Sequence, residues 1–136
     1  MKRAPELTRL SHDHHHALDV ARRLRRAHRD SLEDVLDQLH AFLRTRGEEH
    51  FEVEERLFTP GLCAGDPRWE PAVARMLAEH ADLRGRATTV ADVAAAHALG
   101  DALHDHVRFE ERELFPIVEV TLAQAELERL QSALTV

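Results

Sequence analysis

Two stretches of the chain carry the same arrangement of ionisable side chains. His50-Phe51-Glu52-Val53-Glu54-Glu55-Arg56-Leu57-Phe58-Thr59-Pro60 and His106-Val107-Arg108-Phe109-Glu110-Glu111-Arg112-Glu113-Leu114-Phe115-Pro116 agree at the His, both Glu, the Arg and the closing Pro. The shared pattern is H-x-x-x-E-E-R followed by an apolar turn. On a helix, residues four apart lie about 40° apart around the axis and about 6 Å along it, and their side chains lean toward the N-terminus. The Glu at i+4 therefore reaches back to the His, and the two heads converge on one point. An imidazole and a carboxylate that converge in this way suit a metal ion.

Both pairs need helices to hold them, and the composition supplies helices. The 136 residues include five Gly, five Pro and no Tyr, and are rich in Ala, Leu, Arg and Glu. That is an all-α composition in a chain of one-domain length, so a single domain is expected over 1–136. No apolar run approaches the roughly 20 residues needed to span a bilayer, and Met1-Lys2-Arg3-Ala4-Pro5-Glu6 lacks the apolar core of a signal peptide. The expected location is cytoplasmic, with no membrane partner. A formal charge of −7 argues against a nucleic acid held by phosphate contacts. Arg22, Arg23, Arg25, Arg26 and Arg29 form one basic patch, read as a solvated helix face near a C-terminus. Cys63 is alone and reads as an unreactive loop cysteine.

Apolar periodicity predicts four long helices. The first runs from about Pro5 to about His28 on Leu7, Leu10, Ala17, Leu18, Ala21 and Leu24. Projection at 100° per residue puts His14 inside that stripe, His15 at its edge, and His12 and His16 on the far side. Ser31, with Asp34 three residues on, predicts a capping box for a second helix that reaches Phe58. Its stripe is Leu32, Leu36, Leu39, Leu43, His50, Glu54 and Leu57. Asp66-Pro67 signals a third helix from Arg68 or Pro71 to about Thr88, with Met76, His80, Leu83 and Ala87 inward. Thr89 with Asp92 predicts a fourth from near Val90 to near Val118, with Leu99, Leu103, His106, Glu110 and Ile117 inward and His97 and His104 outward. Thr121 and Gln124 open a short C-terminal fifth helix on Leu122, Leu127, Leu130 and Leu134. Short connections make an up-down-up-down four-helix bundle the expected architecture.

Each stripe then delivers one histidine to a shared interior, and two add a carboxylate. The candidate metal-binding set is His14, His50, Glu54, His80, His106 and Glu110. This set exceeds one tetrahedral zinc site and contains no thiolate, so iron, manganese or zinc in higher coordination fits best. Carboxylates on facing helices can each bridge two ions, which predicts a dinuclear centre. The second ring nitrogens call for acceptors, and Asp13, Glu55, Glu111 and Glu113 are the candidates.

In these residues the chain resembles the hemerythrin-like, or HHE cation-binding, domain family. Leu10 to Leu18, His50 to Pro60, His80 to Arg84 and His106 to Pro116 occur in the family's order and with similar separations, over nearly the whole chain. The resemblance implies two non-haem Fe ions bridged by carboxylates and by an oxo or hydroxo oxygen, with Zn or Mn as other occupants. It also implies reversible dioxygen binding in some members and, in others, sensing or handling of oxygen, nitric oxide, peroxide or iron. Two departures separate this chain from the oxygen carriers. The position of their second third-helix histidine holds Arg84, and the inward fourth-helix carboxylate, Glu110, follows His106 by four residues, with Glu111 at five. It is therefore similar to the divergent bacterial-type members.

Four imidazoles, two bridging carboxylates and a bridging oxygen supply about ten bonds where two six-coordinate ions need about twelve. Two positions would stay open unless His15 or a shifted His12 filled one. The expected function is a di-iron protein that binds or senses a small diatomic ligand, dioxygen or nitric oxide. The alternatives are a di-iron enzyme acting on peroxide or oxidising iron, and an iron- or zinc-binding module without catalysis. A sensing role would call for a partner protein or a change of oligomer, such as a homodimer.

Overall fold

The computed structural model describes residues 7–59, 66–121, 129 and 131–134. Four long helices form the predicted bundle. The first is Thr8–Arg25 and the third Trp69–Thr89. The second spans 32–58, in which α-helical Leu32–Phe42 and Glu48–Phe58 are joined by a π-helical turn, Leu43–Gly47. The fourth spans 93–121, in which Val93–Phe109 and Phe115–Thr121 flank a second π-helical turn, Glu110–Leu114. The first helix packs most closely on the fourth. Helical 131–134 returns to the bundle, where Leu134 is buried and its carbonyl accepts from Arg9 Nη1 at 3.3 Å. The predicted Pro5 start, Cys63, and Leu122, Leu127 and Leu130 of the fifth helix lie outside the described residues.

Two predicted caps are corrected. Ser31 precedes the second helix, but its hydroxyl donates to the His28 carbonyl and accepts from the His28 N–H, so no capping box forms with Asp34. At the fourth helix the cap is Asp92, in extended backbone, whose carboxylate accepts from Ala95 N at 2.7 Å. Thr89 instead ends the third helix, with its hydroxyl donating to the Gly85 carbonyl. A Ser or Thr hydroxyl that bonds backward in this way no longer caps forward.

The apolar interior is split in two. One cluster holds Leu7, Leu10, Leu57, Phe58, Trp69, Met76, Phe109, Leu114 and Phe115. The other holds Ala17, Leu24, Leu39, Phe51, Leu83, Leu99, Leu103 and Val107. Between them lies a layer of buried polar side chains. The first helix passes from Leu10 through His14 to Ala17, the third from Met76 through His80 to Leu83, and the fourth from Leu103 through His106 and Glu110 to Leu114. The π turns adjoin this layer. The one in the fourth helix ends two residues before Pro116, which has no N–H to continue the α-helical ladder, so the wider turn gives up little there.

Helix contacts are close enough at Gly100 to forbid a side chain. A Cβ there would sit 2.8 Å from the Ala21 carbonyl oxygen and 2.6 Å from Arg25 Cγ, whereas one at Gly85 meets nothing within 4 Å. Gly100→Ala should therefore lower stability, because overpacking costs about 1–3 kcal/mol against a helix-propensity gain of under about 1 kcal/mol. Gly85→Ala should raise stability by about 0.5–1 kcal/mol. Denaturant midpoints of the two variants check this, and equal shifts of the same sign would contradict the close approach of the first and fourth helices.

Candidate metal centre

All six predicted residues meet in the polar layer, and each is at most 5 % exposed. They form two groups of facing ligand atoms, His14, His50, Glu54 and Glu110, and Glu54, His80, His106 and Glu110. The two carboxylates are common to both. Glu110 turns Oε1 to His14 Nε2 at 2.8 Å and His50 Nε2 at 3.6 Å, and Oε2 to His106 Nε2 at 3.1 Å and His80 Nε2 at 3.3 Å. Glu54 places Oε2 3.2 Å from His50 Nε2 and Oε1 3.2 Å from His80 Nε2. Every imidazole thus offers Nε2 inward, and each carboxylate offers one oxygen to each side. His14 stacks on Phe115 at 5.3 Å and His80 on Phe51 at 4.2 Å between ring centroids, which fixes both ring planes.

The outward nitrogens are equally ordered. His14 Nδ1 donates to Glu111 at 2.7 Å, His50 Nδ1 to Asp13 at 3.1 Å, His80 Nδ1 to Glu55 at 2.7 Å and His106 Nδ1 to Glu79 at 2.7 Å. Each acceptor lies on the helix before that of its histidine, with the fourth helix serving the first. Three of the acceptors are in turn held by guanidinium groups. Arg84 donates to Glu55 at 2.8 Å, Arg75 to Glu79 at 2.8 Å, and Arg9 and Arg46 lie 3.7 Å and 3.6 Å from Asp13. Glu111 accepts from the Ser11 hydroxyl at 2.8 Å.

Three of the four sequence candidates for these outer positions are in place. Glu113 is not. It is exposed and accepts from Arg75, and the partner of His106 is Glu79. The overlooked signal is the dipeptide Glu79-His80, which repeats Asp13-His14. In both, the acidic residue points to a histidine on the following helix. His12 and His15 are exposed and do not turn inward. Arg84 lies outside the inner set, where it holds Glu55 and Glu48 and covers the Phe51 ring at 5.2 Å. His97 and His104 face away, His97 bonded to the Ala27 carbonyl and His104 within reach of Asp105 and Arg108.

The electrostatics leave room for a cation. Among the described residues, His50 Nε2, His106 Nε2 and both Glu54 oxygens are buried without a hydrogen-bond partner. Two carboxylates with no exposed surface are costly unless positive charge meets them. Neutral imidazole nitrogen and carboxylate oxygen are the donors that iron, manganese or zinc accept, so the residues fit such an ion. Without one, protons can take its place. Burial opposes a charge on His80, but the adjacent carboxylates of Glu110 and Glu54 prevail and raise it to about 9. Burial likewise opposes charge on His106, but the charge of Glu110 raises it to about 10. Glu110 is held well below the carboxylate range, against its burial, by His106.

A group with a raised folded pKa contributes stability that is complete below its unfolded value, here 6.5, and lost as pH rises through the folded value. After chelation, the melting temperature should fall as pH rises from about 7 to about 10, and metal-loaded protein should lack that fall. Thermal scans of both preparations test this. A chelated protein with a flat profile over that range would show that imidazolium–carboxylate pairs do not hold the metal-free core.

Comparisons with curated proteins and with solved structures find no match. A family model does match, covering residues 6–118 and therefore all six inner residues and all four outer carboxylates. It is described as the hemerythrin HHE cation binding domain, and the chain belongs to that family of metal-binding domains.

Proposed function

We propose that the chain is a cytoplasmic non-haem di-iron protein that binds or senses a small diatomic ligand, dioxygen or nitric oxide. The observation that carries this reading is the division of Glu54 and Glu110, each with one oxygen on the His14 and His50 side and the other on the His80 and His106 side. His14 and His50 would hold one ion and His80 and His106 the other, with Glu54 and Glu110 available to both. A ferrous pair would supply electrons that a diatomic ligand can take up reversibly. The protein's share is to aim four Nε2 lone pairs by anchoring four Nδ1–H groups, and to keep bulk water away.

The space beside the centre supports this ligand class. A cavity of about 10 Å³ adjoins Asp13, His14, His50 and His106 and is otherwise walled by Ala17, Phe42, Gly47, Phe51, Leu103 and Val107. A volume near 10–15 Å³ holds about one water-sized molecule. The largely apolar wall favours a weakly hydrated diatomic over a strongly hydrated ligand such as hydrogen peroxide. This supports ligand binding over peroxide chemistry.

Metal analysis and visible spectra test the proposal. Purified without a histidine tag, the protein should hold two irons per chain, one for each group of facing ligands, with an absorption that bleaches under dithionite and returns in air. Glu54→Ala combined with Glu110→Ala should release the metal, whereas His104→Ala should retain it. If anaerobic iron loading gave no coloured species and zinc alone were bound, the di-iron reading would fall and a non-catalytic metal module would replace it.

A further inference from the structure

His12, His15 and His16 take no part in the buried centre. His12 and His16 lie on the opposite side of the first helix from His14, and His15 lies at the edge between, with His12 and His15 exposed and His16 half-buried. Three other histidines at or near the surface, His40, His97 and His104, have ring hydrogen bonds. His40 donates to the Ala87 carbonyl, His97 to the Ala27 carbonyl, and His104 is bonded to Arg108. Among the described residues, no hydrogen bond reaches the rings of His12, His15 or His16, so their nitrogen lone pairs face solvent.

His12 and His16 are four residues apart, and their ring centroids are 5.2 Å apart at 80°. His12 and His15 are three apart, with centroids at 6.3 Å. Residues at these spacings sit on adjoining turns of one face. Among the described residues no hydrogen bond holds these rings, so their χ2 angles are free to turn a nitrogen of each toward a shared ion. The nearest cation on that helix, Arg9, is directed elsewhere, to Asp13 and the Leu134 carbonyl. The side of the pair is therefore open to a positive ion.

We propose that His12 and His16 form a second, surface site for a divalent transition metal of the imidazole-seeking class, copper(II), nickel(II) or zinc, separate from the buried centre. With two nitrogen ligands and the rest water, its preference follows the divalent affinity order, copper(II) above zinc. His12 belongs to both close pairs and is the indispensable ligand. His15 is a weaker substitute for His16. The site does not depend on which metal the buried residues hold.

The test is zinc binding to holoprotein, followed by calorimetry, with the content of the buried metal measured in the same samples. The parent should take up one additional zinc per chain, and copper(II) should bind more tightly. His12→Gln should weaken this step by at least about tenfold and His16→Gln by about tenfold, with His15→Gln changing it less than about threefold. The buried metal content should not change in any of the three. No additional zinc in the parent, or unaltered uptake in His12→Gln, would overturn the site. Loss of the buried metal together with the additional zinc would overturn its separateness.

Discussion

Two glutamates with no exposed surface, enclosed by four histidines, are the constraint on which the rest of this structure depends. Unpaired, such carboxylates would oppose folding more strongly than any single apolar contact favours it. The chain answers with concentric layers of alternating character. Imidazoles surround the carboxylates, acidic side chains anchor the imidazoles, and arginines or a serine hydroxyl restrain the acidic side chains. The outermost groups reach water, so the electrostatic demand of the interior is passed outward in short, directional steps. The two apolar clusters on either side fix the spacing of the helices and thereby the distances within the layers.

The division of the core explains the irregular helices. Regular α-helices would repeat one phase from end to end, whereas here each long helix must serve one apolar cluster, then a polar layer, then a second cluster. The second and fourth helices carry two inner residues apiece, and these are the ones interrupted by π-helical turns. In the fourth, the turn contains both Glu110 and Glu111, so that consecutive carboxylates serve the two nitrogens of one ring, His14. Wider turns of this kind recur where a helix meets a functional centre.

Much of this was legible in the sequence because helical periodicity is a strong signal and the inner residues obey it. His14, His50, Glu54, His80, His106 and Glu110 all fall on apolar stripes, and a polar residue there must be met by a partner. The outer layer was less legible. Its members lie at stripe edges, where one-dimensional projection does not say which neighbouring helix a side chain reaches, and so Glu113 stands among the sequence candidates while Glu79 does not. Capping was misread at Ser31 and Thr89 because a hydroxyl that bonds backward and one that caps forward have the same sequence signature. The two π turns leave no mark in composition.

The outer hydrogen bonds also have a direction. Asp13 on the first helix serves His50 on the second, Glu55 on the second serves His80 on the third, Glu79 on the third serves His106 on the fourth, and Glu111 on the fourth serves His14 on the first. The four links close into a ring, and its two halves have the same form: an acidic residue and a histidine side by side, then H-x-x-x-E-E. Cut between the second and third helices, each half keeps one link and presents one unanswered histidine and one unanswered carboxylate, and those of one half match those of the other. The halves are thus mutual templates, and neither completes the ring of hydrogen bonds until the other has docked.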